Sequence, residues 1–320
     1  MIKDEILHIL KENQGAFVSG QAVSDQLDVT RAAVWKAIKQ LQKDGYGIES
    51  VSNHGYKLTA CADILTYEEI KELLETRSLG HKIVHFDSID STNREAKRLA
   101  EQGEPEGTIV VAEMQTGGKG CAGRQWDCQP YQGIWMSIIL RPAMDMPAAP
   151  CFTQMACAAV GQALEASAEG IQVKWPNDIL LHGKKIGGVL TESSGEIDRV
   201  DYIVLGIGVN VNQTAADFLP ALTEKATSLC LETGQKQSRK QVFCAIVNAL
   251  EHAYLSDGGV DAVLAYCKSH SATIGRPVTV RDAGAESLGT AIDLDEHGGL
   301  VVRMENGRIR HITSGGGLAG

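Results

Sequence analysis

The stretch Gln115-Thr116-Gly117-Gly118-Lys119-Gly120-Cys121-Ala122-Gly123-Arg124-Gln125-Trp126 follows an apolar run at residues 108–112. Its glycines allow backbone N–H groups to approach a ligand closely, because no Cβ atom stands in the way. Its lysine and its arginine add fixed positive charge. The sequence therefore predicts a loop that binds an anion, and specifically a phosphate.

Residues 118–123 also match G-x-G-x-x-G, the pattern of a dinucleotide-binding turn. That pattern must open a helix whose N-terminus receives the pyrophosphate. Residues 124–133 instead contain a proline and a glycine, show no helical period, and lead into a predicted strand at 133–140. The sequence therefore argues against a nicotinamide enzyme and places the loop between two strands.

The composition is typical of a soluble globular protein, with 43% hydrophobic and 22% charged residues among 320, enough for two or three domains. A net charge of −10 argues against general nucleic-acid affinity of the whole chain, but not against a local basic face. The eight cysteines form no Cys-x-x-Cys pair, which favours reduced thiols over a zinc site. Without a signal peptide or an apolar run of about 18 residues, we expect a cytoplasmic protein with no membrane contact.

Residues 1–60 predict a winged helix-turn-helix. Apolar spacing indicates a first helix, and Ser19 and Thr30 are suited to cap a second helix and a third one at 31–44. Two short strand patterns follow, joined at 52–55 by residues that favour a hairpin turn.

The third helix carries Arg31, Lys36, Lys39 and Lys43, as a recognition helix does. A solvated surface helix has a similar composition, but the wing behind this one favours DNA binding. The residues predicted to bind DNA are Ser19, Thr30, Arg31, Ala32, Trp35, Lys36 and Lys39.

The rest of the sequence, after residue 60, predicts an α+β fold with largely antiparallel strands. Thr66 and Glu69 resemble a capping box that opens a helix to about Glu75, and short strand patterns after residue 271 predict a small barrel. Strands are predicted at 82–86, 108–112, 133–140, 172–174, 185–191, 202–209, 277–281, 288–294, 300–304 and 308–313, and helices at 93–101, 152–168, 239–256 and 260–270.

Three further segments contain residues suited to bind a ligand, and each also has a simpler structural explanation. Residues 174–178, Lys-Trp-Pro-Asn-Asp, precede Lys185 and two glycines. Asn177 and Asp178 are expected in a turn, free to face a ligand or a metal, although an ordinary turn with surface lysines looks the same. Residues 87–93 end in Ser-Thr-Asn before a helix, where Ser91 or Thr92 is suited to be an N-cap. Residues 206–212, Gly-Ile-Gly-Val-Asn-Val-Asn, place two glycines in a strand, which indicates a close backbone approach or tight core packing.

Together these segments resemble the biotin–protein ligase family, in the form that is both a ligase and a biotin-operon repressor. The motif order is S-T-N at 91–93, the glycine loop, K-W-P-N-D at 174–178, K-x-x-G from Lys185 and G-I-G-V-N at 206–210. The resemblance spans nearly the whole chain. It implies a winged helix-turn-helix domain at 1–62, a class II synthetase-like mixed α/β catalytic domain at 67–270 and an SH3-like β-barrel at 271–320.

The resemblance implies an ATP-dependent and Mg²⁺-dependent ligase that activates biotin as biotinyl-5′-AMP and transfers it to a lysine of a biotin carboxyl carrier protein. The same adenylate is the implied co-repressor of a homodimer on operator DNA of biotin genes. The implied catalytic residues are Lys185, Lys119 and Arg124. The implied biotin contacts are Ser91, Thr92, Asn93, Gln115, Gly118, Lys119, Gly120, Cys121, Trp135, Lys185, Gly188, Gly206 and Gly208. The implied adenylate contacts are Lys119, Arg124, Trp126, Asn177, Asp178 and Asn210; no residue is assigned as a dedicated metal ligand, although Asp178 is suited to assist Mg²⁺.

Two positions depart from the family pattern. Cys121 stands where the family loop has its second arginine, and a thiol is shorter and mostly uncharged at neutral pH. The tail at 314–320 lacks the charged residues expected at the end of the barrel. A biotin-sensing repressor with weak or no ligase activity is therefore the alternative hypothesis.

Overall fold

The computed structural model describes residues 2–13, 15–43, 45–52, 54–60, 63–144, 150–196, 198–256, 258–282, 285–314 and 318–319. Its contacts divide the chain into two units, Met1–Asp63 and Ile64–Gly320. Three predicted features fall outside the described residues: the domain end at 62, the helix end at 44 and the glycines at 315–317 of the tail. No helix among the described residues is both long and apolar enough to cross a membrane.

The first unit is a winged helix-turn-helix, as predicted. Its elements are α1 (Ile2–Glu12), α2 (Gly20–Gln26), α3 (Arg31–Lys43), β1 (Gly47–Val51) and β2 (Gly55–Ala60). The hydroxyls of Ser19 and Thr30 accept hydrogen bonds from backbone N–H groups of α2 and α3, at 3.2 Å each. A Cβ atom at Gly55 would lie 2.0 Å from the carbonyl oxygen of Val18, so only glycine allows Val18 to pair with the wing.

The second unit is built on a seven-stranded sheet in the order β3-β4-β5-β9-β8-β7-β6. Only β3 and β4 are parallel. The strands are β3 (Lys82–Phe86), β4 (Thr108–Ala112), β5 (Gly133–Leu140), β6 (Ile171–Lys174), β7 (Asp178–Leu181), β8 (Lys184–Glu196) and β9 (Arg199–Asn210), and the helices are α4 (Tyr67–Ile70), α5 (Thr92–Glu101), α6 (Cys151–Glu165), α7 (Leu229–Thr233), α8 (Arg239–Leu255) and α9 (Gly259–Ser269).

The two faces of this sheet are covered differently. Helices α6, α8 and α9 bury one face in a large apolar core. On the other face, α5 packs against Val110, Ile139 and Val204. Because side chains alternate along a strand, Gly206 and Gly208 of β9 lie on the α5 side, where their missing side chains leave part of the sheet uncovered.

The C-terminal strands form a second sheet. These strands are β10 (Pro277–Asp282), β11 (Ala285–Leu294), β12 (Leu300–Met304), β13 (Ile309–Ile312) and β14 (Leu318–Ala319). They pair in the antiparallel order β13-β12-β11-β10-β14. The edge strands are β13 and β14, and the described residues give no pairing between them. The described strands therefore form an open sheet at the place where the sequence predicts a small SH3-like barrel.

Two local predictions were wrong. The helix expected from Thr66 to about Glu75 ends at Ile70, and the Thr66 side chain caps nothing in it. Asn248 of α8 binds the backbone N–H of Glu75, and Glu251 of α8 binds those of residues 77–79. These tertiary bonds replace the helical ones.

The second correction concerns Asp178, which was expected in a turn. It begins β7 and pairs with Gly188 of β8, and the preceding Trp175–Pro176 peptide bond is cis. Asp178 thereby faces β8 from a fixed strand position.

Candidate active site

A cavity of about 530 Å³ lies on the uncovered part of the sheet. It brings together nearly all the residues predicted to bind biotin and adenylate. Of these, it is lined by Ser91, Thr92, Asn93, Gln115, Lys119, Gly120, Cys121, Arg124, Trp126, Asn177, Asp178, Lys185, Gly188, Gly206, Gly208 and Asn210. Gly118 and Trp135 do not line it. Trp135 is buried and meets Trp126 edge-on, with ring centroids 6.2 Å apart, so it supports the wall from behind.

One end of the cavity is a buried polar network at the start of α5. Ser91 is its N-cap and accepts from the N–H of Arg94. The backbone N–H and hydroxyl of Thr92 donate to Gln115 Oε1 at 2.8 and 3.0 Å. These groups are held before any ligand arrives, as a preorganised binding end requires.

Asn93 belongs to the same network, and three protein partners hold its side chain there. Its amide donates to the Leu190 carbonyl at 3.3 Å and to Glu192 at 2.8 Å, and its Oδ1 accepts from Ser137 at 2.6 Å. A Cβ atom at Gly206 would lie 2.0 Å from that Oδ1. Glycine at 206 is therefore what allows Asn93 to lie flat against the sheet.

Glu192 holds Asn93 from the far side. Its carboxylate also pairs with Lys97 at 2.5 Å. Burial acts to raise the pKa of Glu192, but the hydrogen bonds from Lys97 and Asn93 outweigh it and lower that pKa. The carboxylate thus stays ionised at neutral pH and keeps the Asn93 amide oriented.

The Trp126 ring lies across a pair of glycines. Gly188 and Gly208 are direct partners in the β8–β9 ladder, and Cβ atoms there would approach the indole to 3.0 and 2.9 Å. Its Nε1 atom is buried and has no hydrogen-bond partner among the described residues. The indole can therefore lie this close to the sheet because Gly188 and Gly208 have no side chains.

Lys185 contributes a positive charge to the lining of the cavity. Its Nζ lies 2.5 Å from Asp178 Oδ1 and 5.0 Å from the Trp126 ring centroid. The strand pair β7–β8 fixes both ends of this ion pair. An ammonium held here by one carboxylate is positioned to bind a second anion.

The glycine loop forms a small hairpin beside the cavity. Lys119 pairs with Gln125, and the Gly120 N–H donates to the Arg124 carbonyl at 2.7 Å. One 3-10 turn, Cys121–Gly123, lies at the tip, and no helix follows it. Lys119 and Arg124 are exposed and have no ion pair within the described part of the chain, so both are available for an anionic ligand.

Cys121 is half-buried at the inner edge of this loop. Asn177 donates to its sulfur at 3.1 Å. Burial, with help from the Asp178 carboxylate, raises the pKa of the thiol. The side chain at this position is therefore uncharged at neutral pH.

One wall of the cavity has no signal in the sequence. Residues after β9 close that side, where the backbone of Lys185 bonds to Lys225 and Thr227. They show neither helical nor strand periodicity, so no pattern could have marked them. They contribute Gln213, Asp217, Phe218, Leu222, Glu224, Lys225 and Ala226 to the lining.

Comparisons with known proteins show the family of this chain. Residues 85–210 match the Biotin/lipoate A/B protein ligase family, residues 3–57 an HTH domain and residues 273–315 the Biotin protein ligase C terminal domain. The bifunctional ligase/repressor BirA of Bacillus spizizenii is 39% identical over 98% of this chain and 97% of its own length. The chain belongs to the family of bifunctional biotin ligase/repressors.

Two other comparisons match only the larger part of this bifunctional biotin ligase/repressor. The biotin–[acetyl-CoA-carboxylase] ligase of Paracoccus denitrificans is 33% identical over 68% of this chain and 93% of its own length. The structure of the biotin protein ligase from Aquifex aeolicus in complex with biotin and ATP matches with a TM-score of 0.63 at 27% identity, covering 75% of this chain and 98% of that one. The bifunctional biotin ligase/repressor thus joins a ligase fold to a DNA-binding domain.

Proposed function

We propose that this cavity activates biotin with ATP and transfers it to a lysine of a biotin carboxyl carrier protein. In the first step, a biotin carboxylate oxygen attacks the α-phosphorus of ATP, the α–β phosphoanhydride bond breaks, and pyrophosphate leaves. In the second step, a lysine amine attacks the activated carbonyl and loses a proton, the acyl–oxygen bond breaks, and AMP leaves. The observation that carries this proposal is the Lys185–Asp178 ion pair beside the indole and glycine loop.

Each step needs anions brought together and growing phosphoryl charge stabilised. Lys185 is the residue proposed to hold the biotin carboxylate and the α-phosphate. The exposed Lys119 and Arg124 are proposed to hold the phosphates with the N–H groups of the loop. The polar end at Ser91, Thr92, Asn93 and Gln115 is proposed to bind biotin, whereas Trp126, Asn177, Asp178 and Asn210 line the proposed adenylate side.

Mg²⁺ would offset the negative charge of the ATP phosphates in this cavity. The described residues hold no group of three or more His, Cys, Asp or Glu side chains suited to bind a metal. Asp178 is therefore proposed as an assisting carboxylate that would help hold Mg²⁺ beside the nucleotide.

The acceptor half of the proposal has a direct test. Incubating the protein with biotin, ATP, Mg²⁺ and an isolated biotin carboxyl carrier domain should add one biotin to one lysine, detected by mass spectrometry. If the adenylate forms but the domain stays unmodified, the proposed acceptor is wrong.

Cys121→Arg should slow the release of biotinyl-AMP. An arginine here places a guanidinium beside the adenylate phosphate, where the present thiol is neutral, and one charge-assisted hydrogen bond changes a dissociation rate by about tenfold. The measurement is the release rate of radiolabelled adenylate from wild type and variant. Cys230→Arg, at a half-buried cysteine outside the cavity, is the control, and equal release from wild type and Cys121→Arg would contradict the prediction.

The repressor half rests on α3. Arg31, Ala32, Trp35, Lys36 and Lys39 of this helix are all exposed. The Lys39 ammonium lies 5.9 Å from the ring centroid of Trp35, whose side chain is 55% exposed. We propose that this face reads operator DNA, and that the adenylate favours a homodimer matched to a palindromic site.

Lys36→Ala combined with Lys39→Ala should weaken operator binding and flatten its salt dependence. Each lost phosphate contact lowers the slope of log K against log salt by about one. Gel-shift titrations at several salt concentrations, with biotin and ATP present, measure both quantities. Lys236→Ala, at an exposed lysine of the second unit, should change neither, and an unchanged slope in the double variant would exclude α3 as the DNA-binding face.

A further inference from the structure

Gln213 is a buried side chain that neither the sequence motifs nor the family pattern singled out. It is 2% exposed and lines the cavity. Its Oε1 atom has no hydrogen-bond partner among the described residues. A buried amide oxygen without a donor costs free energy, which points to a donor that arrives with a ligand.

The orientation of this amide is fixed by its neighbours. Asn210 Nδ2 donates to the Thr227 carbonyl at 3.0 Å, so Asn210 Oδ1 must face Gln213. Gln213 Nε2 then donates to that Oδ1 at 3.1 Å. A carbonyl oxygen cannot donate a hydrogen bond, so flipping either amide would break one of these two hydrogen bonds. Oε1 is therefore the atom of the Gln213 amide that remains without a partner among the described residues.

The position of this acceptor follows from the alternation along β9. Gly206, Gly208 and Asn210 lie on one face of the strand. Gly206 underlies the polar end at Asn93, and Gly208 underlies the Trp126 ring. Asn210 and Gln213 therefore lie beyond the indole, away from the proposed biotin end and on the proposed adenylate side.

We propose that Gln213 Oε1 accepts a hydrogen bond from the exocyclic amine of a 6-aminopurine, and so selects the adenine nucleotide. This inference rests on the proposed function and adds a specificity-determining residue to its nucleotide side. A 6-oxo purine presents an oxygen to Gln213 Oε1, so two acceptors face each other. An unsubstituted purine leaves the acceptor unpaired in the bound state.

The proposed role of Gln213 can be tested by comparing the binding of AMP, the product of the second step, with the binding of its analogues, because binding requires no turnover. Calorimetry on the full chain measures dissociation constants for AMP, purine riboside monophosphate and inosine monophosphate, with biotin present throughout. Wild type should bind AMP about tenfold more tightly than the purine riboside analogue and about 30-fold more tightly than the inosine nucleotide. Gln213→Met, which keeps the length of the side chain but removes its acceptor, should reduce both preferences to about twofold or less.

Gln154 provides a matched control. It is also 2% exposed, its Nε2 donates to the Pro176 carbonyl at 2.7 Å, and its Oε1 lacks a partner among the described residues, but it does not line the cavity. Gln154→Met should keep the wild-type preferences. A purely structural role for Gln213 would weaken all three nucleotides equally in Gln213→Met and leave their ratios intact.

Three outcomes overturn the inference, and only the third also contradicts the proposed function. Equal wild-type affinity for AMP and the purine riboside analogue removes Gln213 as an amine acceptor and leaves the proposed ligase reaction standing. Retention of the wild-type ratios in Gln213→Met does the same. Failure of wild type to bind any of the three nucleotides, although it binds biotin, contradicts the nucleotide site itself.

Discussion

Lys185→Met should lower the rate of biotinyl-AMP formation by about a thousandfold, the loss that follows removal of a single transition-state electrostatic partner. The ammonium of Lys185 is held 2.5 Å from Asp178, and both residues line the cavity. In the proposed reaction it is the group that offsets repulsion between the biotin carboxylate and the α-phosphate. Methionine keeps much of the apolar stem and removes the charge, so loss of packing contributes little.

The measurement is biotin-dependent release of pyrophosphate from ATP in a single-turnover experiment. Lys184→Met is the matched control, because Lys184 is the preceding residue of β8 and does not line the cavity. It should release pyrophosphate at the wild-type rate. Equal rates for Lys185→Met and Lys184→Met would remove Lys185 from the proposed chemistry.

Gly206→Ala should weaken biotin binding by about a hundredfold, the scale expected when ligand-positioning groups move by about 1 Å. The new Cβ atom would lie 2.0 Å from Asn93 Oδ1. Asn93 cannot easily yield, because Ser137, Glu192 and the Leu190 carbonyl all hold it. Overpacking of this kind also costs about 1–3 kcal/mol of unfolding free energy.

A second substitution separates the steric effect from the loss of Asn93 as a ligand contact. Adding Asn93→Ala to Gly206→Ala removes the clashing amide, so chemical denaturation should show recovery of at least half the lost stability. Biotin affinity, measured by calorimetry, should stay low because the polar network is gone. Wild-type biotin affinity in Gly206→Ala alone would show that the polar end does not bind biotin.

Three strands of the seven-stranded sheet were predictable because their patterns are strong. The bounds of β3, β4 and β5 agree with the sequence prediction, and β4 and β5 are buried on both faces, which produces continuous apolar runs. Absence of a helix after the glycine loop was also predictable from its proline and glycine. Both features depend only on residues close together in the chain, so a single sequence is enough to predict them.

The features that were missed depend on long-range register. Gly208 was recognisable as a close-approach glycine and Gly188 as an implied biotin contact, but their pairing under Trp126 follows from the β8–β9 ladder. Gln213 precedes a segment without periodicity, and its role emerges only from the amide chain through Asn210. The early end of α4 likewise depends on Glu251, 172 residues beyond its backbone partner Leu79.

Biotin-dependent exchange of radiolabelled pyrophosphate into ATP is the decisive measurement for the ligase reaction, because it reports reversible adenylate formation without an acceptor protein. We expect exchange by the wild-type chain when biotin and Mg²⁺ are present, and none above background when biotin is omitted. No exchange, from protein that still binds biotin and ATP, would contradict it and would leave a biotin-sensing repressor without ligase activity.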